Sequence, residues 1–508
     1  MIILSLAEKT PARMRSAILS APQKADALEV RLDALGRLDF AALRTLFAEA
    51  PRPIIATCRR RAEGGGFSGP EENRKEMLWS ALRAGASFLD LEFDSGVLSL
   101  AERISPHADI GIIVSWHDMR RMPRAPEMLY KRMSRVPNTT VVKIVGTARS
   151  LSDVLEVKEL LGAVSESSPR IISFAMGEPG RLSRIMALPW GSWATYVSSG
   201  EGAQTAPGQI SLPDLIGVYR VDDIDRETRF AGIIGTPLGH SLSPVIQNAA
   251  FQTHGLNYRY VPLEIARPVE LKNLKTIVRQ LRLRGLSVTA PYKIKVMKYL
   301  DLVEPLARRI GAVNTIVHDG QRLVGFNTDA TGGYAALREA LAAQRLKVRG
   351  LTMVVVGSGG SARAIAHAVA SGGAKVIVSS RSERPGRALA KGVSGRWVPP
   401  GRLSRESYDV LINCTPVGMI GNGRSADGKL PVPAGAIKGK LVYDLVYAPG
   451  ATALLRAAAR RNIPTLGGLE MLVLQGAEQY QLFSGRNAPI DMMREAARQE
   501  LLDQRPAG

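Results

Sequence analysis

Lys143 stands in Thr139-Thr140-Val141-Val142-Lys143-Ile144-Val145, a β-branched run that predicts a buried strand. An ammonium there must be paired or must lose its proton readily. Lysines of the second kind attack ketones and form Schiff bases. A lysine near a strand end more often carries its charge out to water, but its polar company weighs against that here. His117 ends Ser115-Trp116-His117, Glu63 opens Glu63-Gly64-Gly65, and Glu29, Arg31, Arg59 and Arg184 lie at or beyond the ends of other apolar runs. Singly, each reads as part of a salt-bridge layer or as a satisfied structural histidine. Together they supply an amine for an imine, an imidazole for the adjacent proton and guanidinium groups for a carboxylate.

A second set lies in the other half. Lys293 follows Ser287-Val288-Thr289-Ala290-Pro291-Tyr292, Asn314 sits in Gly311-Ala312-Val313-Asn314-Thr315, and Asp329 ends Gly325-Phe326-Asn327-Thr328-Asp329. Alone, Lys293 and Asp329 read as surface charges or an ion pair. Beyond them the β-branched run 351–356 enters Gly357-Ser358-Gly359-Gly360-Ser361-Ala362, and an alanine-rich helix follows through Ala370. Bare amides at a helix N-terminus after a strand form a dinucleotide fingerprint. The next strand, 374–380, ends at Ser380 and runs into Arg381, where an acidic residue would bind the ribose hydroxyls of NAD; arginine suits the 2′-phosphate of NADP instead.

The first set needs a frame that collects strand ends. Apolar runs near 2–6, 27–31, 54–58, 87–93, 111–116, 140–145, 170–175 and 193–198 alternate with amphipathic stretches such as Glu72–Ala84 and Ser152–Leu161. Eight β/α units within about 220 residues predict a TIM (β/α)8 barrel whose chemistry lies at the C-terminal strand ends. The fold class is α/β: the barrel, then a two-lobed unit with a Rossmann domain. The expected domains are 1–220 for the barrel, a polar linker at 221–228, a substrate-binding lobe at 229–330 completed by a returning C-terminal helix at 476–508, and a nucleotide lobe at 331–475.

Composition sets outer limits. The 508 residues are 45% hydrophobic and 22% charged, with no apolar run long enough to span a membrane and no signal-peptide pattern at the N-terminus. Two distant cysteines, Cys58 and Cys414, fit a reducing cytoplasm, and the scattered histidines offer no metal-ligand spacing, so no metal is expected. The net charge of +21 fits anionic substrates. With 5% aromatics and no basic tract interleaved with them, nucleic acid is not an expected partner, and neither is a membrane. Oligomeric state is not fixed by these residues.

Several motifs carry a family resemblance. Glu29-Val30-Arg31-Leu32-Asp33, Arg59 with Glu63-Gly64-Gly65, Ser115-Trp116-His117-Asp118, Val142-Lys143-Ile144, Phe174-Ala175-Met176-Gly177 with Ser183-Arg184, and Ala206-Pro207-Gly208-Gln209 resemble type I 3-dehydroquinate dehydratase over residues 1–215. The resemblance implies that Lys143 forms the imine with the ring ketone, His117 moves the proton and Glu63 positions His117. It implies that Arg184 holds the carboxylate, Gln209 and Thr205 lie on a closing loop, and Glu29, Arg31 and Arg59 bind ring hydroxyls or order the pocket. Thr205 stands where the family often has serine.

Gly239-His240-Ser241-Leu242-Ser243-Pro244, the Lys293, Asn314 and Asp329 segments, Asn413-Cys414-Thr415-Pro416-Val417-Gly418-Met419, Tyr443-Asp444-Leu445-Val446-Tyr447 and 468–475 look like shikimate dehydrogenase over about 230–490. That resemblance implies carboxylate binding by Ser241 and Ser243, and ring-hydroxyl binding by Thr289, Asn314, Asp329 and Gln475, with Tyr447 also at the substrate. Lys293, paired with Asp329, becomes the proton-transfer group. Gly357–Ala362, Ser380, Arg381, Thr415, Met419 and Gly468 become the NADP(H) contacts. Ser287, Gln247 and Ser380 depart from the family pattern, which usually has asparagine, histidine and asparagine there. The implied protein is a shikimate-pathway enzyme with two activities, its small-molecule substrates being 3-dehydroquinate, 3-dehydroshikimate and shikimate. Two rivals are an NAD-dependent catabolic quinate or shikimate dehydrogenase, opposed by Arg381 and Ser243, and an inactive DNA-binding regulator, opposed by the survival of Lys143, His117, Lys293 and Asp329.

Overall fold

A computed structural model describes residues 1–35, 39–104, 109–164, 166–200, 202–239, 241–419 and 428–503; His240 and the expected helical residues 504–508 lie outside them. The chain divides into two compact units, Met1–Glu227 with Pro262–Glu270, and Thr228–Val261 with Leu271–Gly508.

In the first unit the strands are β1 (Ile2–Leu6), β2 (Ala27–Arg31), β3 (Ile54–Thr57), β4 (Phe88–Glu92), β5 (Gly111–His117), β6 (Thr139–Thr147), β7 (Arg170–Met176), β8 (Thr195–Ser198) and a short β9 (Ile210–Ser211). They form one curled parallel sheet in the order 7-6-5-4-3-2-1-8-9. Among the described residues no ladder joins β7 to β8. The ring closes there through the Trp193 N–H, which donates to the Ile171 carbonyl at 2.7 Å, and the Ser173 N–H, which donates to Ser192 Oγ at 3.2 Å. Helices Glu71–Arg83 and Leu151–Val164 occupy the two amphipathic stretches.

Period-two alternation explains why the polar residues face inward. Val141 and Val145 of β6 belong to the barrel core with Ile113 of β5 and Ala27 of β2. Lys143, Ser115 and Glu29 lie two residues along the same strands, so they share that face further toward the C-terminal ends. The expected linker is partly built into the fold: Val221–Asp223 forms a turn of 3₁₀ helix, and Val221 and Thr228 are buried.

The second unit holds two six-stranded sheets. The first contains β10 (Arg229–Gly235), β11 (Tyr258–Glu264, of which Tyr258–Val261 belongs to this unit), β12 (Leu283–Val288), β13 (Leu302–Val303), β14 (Thr315–His318) and β15 (Leu323–Phe326), in the order 11-10-12-14-15-13. The second contains β16 (Thr352–Val356), β17 (Lys375–Ser379), β18 (Arg396–Val398), β19 (Val410–Asn413), β20 (Leu441–Asp444) and β21 (Thr465–Leu466). Its order, 18-17-16-19-20-21, is parallel throughout. Numbered from its own first strand that is 3-2-1-4-5-6, the doubly wound dinucleotide-binding order.

The expected single returning helix is two, Gly468–Ser484 and Ile490–Asp503, separated where Gly485 adopts φ 74° and Pro489 follows. Helix Gly468–Ser484 crosses the boundary expected at residue 475 and serves both cores. Met471 packs into the nucleotide lobe, while Val473, Ala477, Tyr480 and Phe483 pack into the other. Its close neighbour is helix Thr328–Ala342, where a Cβ on Gly332 would lie 2.5 Å from the Gln475 backbone nitrogen. Only a glycine lets the two helices meet closely enough to bring Asp329 and Gln475 into one cluster.

Candidate active sites

The C-terminal end of the barrel encloses a cavity lined by Glu29, Arg31, Arg59, Glu63, His117, Lys143, Arg184, Thr205 and Gln209, together with Met119, Phe174 and Tyr196. All nine residues expected there from sequence are present. Lys143 is 3% exposed. Its Nζ donates to Asp90 Oδ2 at 3.2 Å, lies 3.7 Å from Glu29 Oε1 and sits 3.9 Å over the Tyr196 ring. The lysine is therefore paired, with two carboxylates beside its ammonium.

Arg59 organises the layer beneath. Its guanidinium donates to Asp90 Oδ2 and to Ser115 Oγ, each at 2.9 Å, and to Glu92 Oε1 at 3.4 Å. Burial opposes the charge on both Arg59 and Asp90. Their mutual attraction, with Glu92 and Glu63 beside the arginine and Lys143 beside the aspartate, outweighs it, raising Arg59 and lowering Asp90. Arg31 forms a bidentate pair with Asp33 at 2.9 and 2.7 Å. Glu29 accepts from Ser5 Oγ and, at 3.0 Å, from Thr57 Oγ1. Thr205 Oγ1 donates to Ser5 Oγ at 3.0 Å and its N–H to Gln209 Oε1 at 2.7 Å, tying the 205–209 loop together and to the barrel mouth.

His117 Nδ1 lies 3.2 Å from Glu63 Oε2. A proton held on Nδ1 by that carboxylate leaves Nε2 as the base. Burial, then Arg59 and Lys143, pushes the imidazole well below its ordinary range. Asp90 opposes this without overcoming it, and Glu63 is itself shared with Arg60 at 2.7 Å and Arg59 at 3.7 Å. Arg184 differs from the other arginines. Among the described residues it has no carboxylate partner; it stacks 4.5 Å from the Phe174 ring and donates weakly to the Pro207 carbonyl at 3.4 Å. Burial, then the neighbouring Arg181, lowers it to about 9. A buried cation left this way is a site for an anion.

The cleft of the second unit is lined by Ser241, Ser243, Thr289, Lys293, Asn314, Asp329, Tyr447 and Gln475 from one set and by Gly359, Gly360, Ser361, Thr415, Met419 and Gly468 from the other. Lys293 Nζ donates to Asp329 Oδ2 at 2.5 Å and to Ser361 Oγ at 3.2 Å. Asn314 Nδ2 donates to Asp329 Oδ1 at 2.9 Å and to Gln475 Oε1 at 3.3 Å. One side chain thus clamps the carboxylate that holds the lysine.

The nucleotide lobe fits a dinucleotide. Gly357 has φ 116°, Gly359 caps helix Gly360–Ser371 without a side-chain bond, and a Cβ on Gly359 would meet nothing within 4 Å. The first-turn amides are therefore bare. A Cβ on Gly360 would lie 2.8 Å from Lys293 Cβ, so that glycine brings the helix start against the lysine. Gly357, Ser358, Ala362, Ser380 and Arg381 lie outside the cleft lining. Arg381 is exposed and, among the described residues, makes no ion pair. Ser380 turns inward: its Oγ donates to the Ser382 carbonyl at 2.9 Å and accepts from Trp397 Nε1 at 3.2 Å. Gln247 likewise lies away from the cleft, bonding the Gly476 carbonyl at 2.8 Å.

Sequence reading gave no catalytic or binding role to several residues that the structure places beside the two sites. Asp90 and Tyr196 flank Lys143, and both occupy inward positions that alternation marks. In the cleft, Ser287 accepts from Tyr260 at 2.6 Å and donates to Gln479 at 2.7 Å, and Gln479 donates to Thr315 Oγ1 at 3.1 Å, behind Asn314. Gln479 lies four residues after Gln475, on the same helix face.

These arrangements define a lysine-centred lyase barrel joined to a Rossmann-type dehydrogenase. The family model for type I 3-dehydroquinase matches residues 2–226, that for the shikimate dehydrogenase substrate binding domain matches 233–316, and that for the shikimate 5′-dehydrogenase C-terminal domain matches 468–498. The chain is 32% identical over 489 residues to a bifunctional 3-dehydroquinate dehydratase/shikimate dehydrogenase, chloroplastic, of Arabidopsis thaliana, covering 92% of this chain and 79% of the relative. It is 36% identical over 285 residues to a shikimate dehydrogenase (NADP(+)) of Carboxydothermus hydrogenoformans, covering 54% of this chain and 98% of the relative. A shikimate dehydrogenase crystallised with NADP+ superposes with a TM-score of 0.51 at 34% identity, over 55% of this chain and 97% of that one. The chain belongs to the bifunctional 3-dehydroquinate dehydratase/shikimate dehydrogenase family of the shikimate pathway. Among the described residues no helix is long and apolar enough to cross a membrane.

Proposed function

We propose that the barrel, residues 1–220, converts 3-dehydroquinate to 3-dehydroshikimate through an imine on Lys143, and that the second unit reduces this product to shikimate with NADPH. The lobe at 229–330, with the C-terminal helices, binds substrate, and the lobe at 331–475 binds the nucleotide. The observation that carries the first half is Lys143, buried between Asp90 and Glu29 with His117 lining the same cavity. Lys143 gives up a proton and attacks the ring ketone, and loss of water leaves a protonated imine. That cation draws electrons from the neighbouring carbon, His117 Nε2 takes the proton released there, and the same imidazolium returns it to the departing hydroxyl. Water then adds to the imine carbon and the C–N bond breaks, freeing 3-dehydroshikimate and the Lys143 amine. Glu63 keeps the ring oriented. Arg184 holds the substrate carboxylate.

In the second unit NADPH, when bound, supplies the hydride. Lys293, held by Asp329, gives the proton to the carbonyl oxygen that becomes a hydroxyl. Ser241 and Ser243 take the carboxylate, Tyr447 closes the cleft beside them, and Thr289, Asn314 and Gln475 take the ring hydroxyls. The bare helix start at Gly359–Ser361 and the exposed Arg381, which makes no ion pair among the described residues, favour the phosphates of NADP. No group in this scheme calls for a metal, and the two unpaired cysteines fit a reducing cytoplasm. The direct test is a coupled assay with 3-dehydroquinate and NADPH, following enone absorbance and NADPH loss, with NADH in parallel. Shikimate formed with NADPH consumption is the expected result; enone accumulation without cofactor loss overturns the second half.

Two further results are expected of the barrel. Arg184→Ala raises KM for 3-dehydroquinate by roughly ten- to a hundredfold, the worth of one buried charge-assisted contact, and initial rates across substrate concentration check it. An unchanged KM removes Arg184 from carboxylate binding. The second concerns pH. His117 is depressed, so it stays neutral and able to accept a proton below the ordinary imidazole value of about 6.5. As pH falls through the depressed value the base is protonated and kcat/KM drops, which puts the acid limb below that of an ordinary imidazole. A limb at or above the ordinary value contradicts His117 as the base.

A further inference from the structure

Tyr196 is 4% exposed and its hydroxyl is buried with no hydrogen-bond partner among the described residues. Its ring forms the floor under Lys143 Nζ at 3.9 Å, leans on Phe174 at 5.9 Å between centroids, and lines the dehydratase cavity. The ring accounts for its own burial: it packs in the barrel core and faces an ammonium. The hydroxyl is not accounted for. Phenylalanine would fill the same space without leaving a polar group dry, and an unmet buried donor costs stability unless something arrives to meet it.

What arrives beside Lys143 is the substrate ketone. We propose that the Tyr196 hydroxyl is a substrate-contacting group of the dehydratase, donating a hydrogen bond to an oxygen of the cyclic ketone that Lys143 attacks. The inference rests on Lys143 as the imine-forming residue. The phenol is suited to the task because it stays protonated: burial first, then the carboxylates of Glu29 and Asp90, disfavours the phenolate. It therefore remains a donor across the working range, while its ring face supports the positive charge that passes from the ammonium to the imine nitrogen. No proton need transfer; the bond strengthens as the carbonyl oxygen gains charge during attack.

Tyr196→Phe separates the two roles, because it keeps the ring and removes only the hydroxyl. The expected kcat/KM for 3-dehydroquinate falls roughly ten- to a hundredfold, with the rate of borohydride inactivation in the presence of 3-dehydroquinate slowed in step. The thermal midpoint stays equal or rises, since a dry polar group has been removed, and shikimate oxidation by the second unit, the internal measure of folded enzyme, is unchanged. Lower turnover together with a lower thermal midpoint would show a packing role and overturn the proposal, as would a wild-type kcat/KM. Wild-type enzyme that borohydride does not inactivate would instead overturn the imine on Lys143, so the two failures are distinct. Tyr196→Leu, which removes ring and hydroxyl, should cost more than Tyr196→Phe; equal losses would deny the ring its part under the ammonium.

Discussion

Lys143→Ala is expected to abolish dehydration, lowering kcat by on the order of 10⁴ or more, and to end borohydride trapping of substrate on the protein. The size follows from the chemistry. Without the imine the proton must leave a carbon activated only by a ketone, and among the described residues no other lysine lines the cavity. The fold should survive. Asp90, which loses the lysine, keeps Arg59 at 2.9 Å and Ser115 Oγ at 2.6 Å, so its charge remains paired. Glu29 keeps its bonds from Ser5 and Thr57. Shikimate oxidation should therefore proceed at the wild-type rate in the same preparation. The check is enone formation from 3-dehydroquinate beside NADP+ reduction by shikimate. Residual dehydration within a hundredfold of wild type would remove Lys143 from its role, and loss of both activities from folded protein would contradict two separate sites.

The barrel was legible because its signal is redundant. Each strand is a short β-branched run, and each polar residue at its C-terminal end repeats the same message about where the face opens. Lys143 could be placed inside from Val141 and Val145 alone. What periodicity could not supply was pairing. Whether a buried lysine is neutral or matched depends on which carboxylates the other strands bring, and Asp90 lies 53 residues away from it in the chain. Ring closure between β7 and β8 escaped for a related reason, since a serine side chain and a backbone amide at 192–193 take the place of a ladder.

The second unit was legible at its glycine turn and less so at its end. The G-x-G-x-x-A pattern fixes a backbone shape, and shape follows from local sequence. The break between helices Gly468–Ser484 and Ile490–Asp503 was signalled by Gly485 and Pro489, yet the boundary expected at 475/476 cuts the first of them. Amphipathicity could not resolve this, because the helix presents apolar residues to two cores at once. The inward turn of Ser380 depended on Trp397, a partner on another strand that no local pattern names.

Lys293→Ala is expected to lower kcat for shikimate oxidation by roughly 10²–10⁴-fold, the usual worth of a positioned proton-transfer group, with dehydration untouched. KM for shikimate should move far less, because the substrate-facing hydroxyls and amides stay in place. Asp329 would lose its bond at 2.5 Å but keep Asn314 Nδ2 at 2.9 Å, and Asn314 in turn is fixed by the Thr328 N–H, which donates to its Oδ1 at 2.7 Å. The cluster therefore stands without the lysine, so loss of rate would report lost chemistry and not a collapsed cleft. Steady-state rates at saturating NADP+ across a shikimate series give the split between kcat and KM. A large rise in KM with kcat retained would make Lys293 a binding residue. A rate within tenfold of wild type would leave the proton transfer to another group, and Asp329, freed from its partner, would be the next to examine.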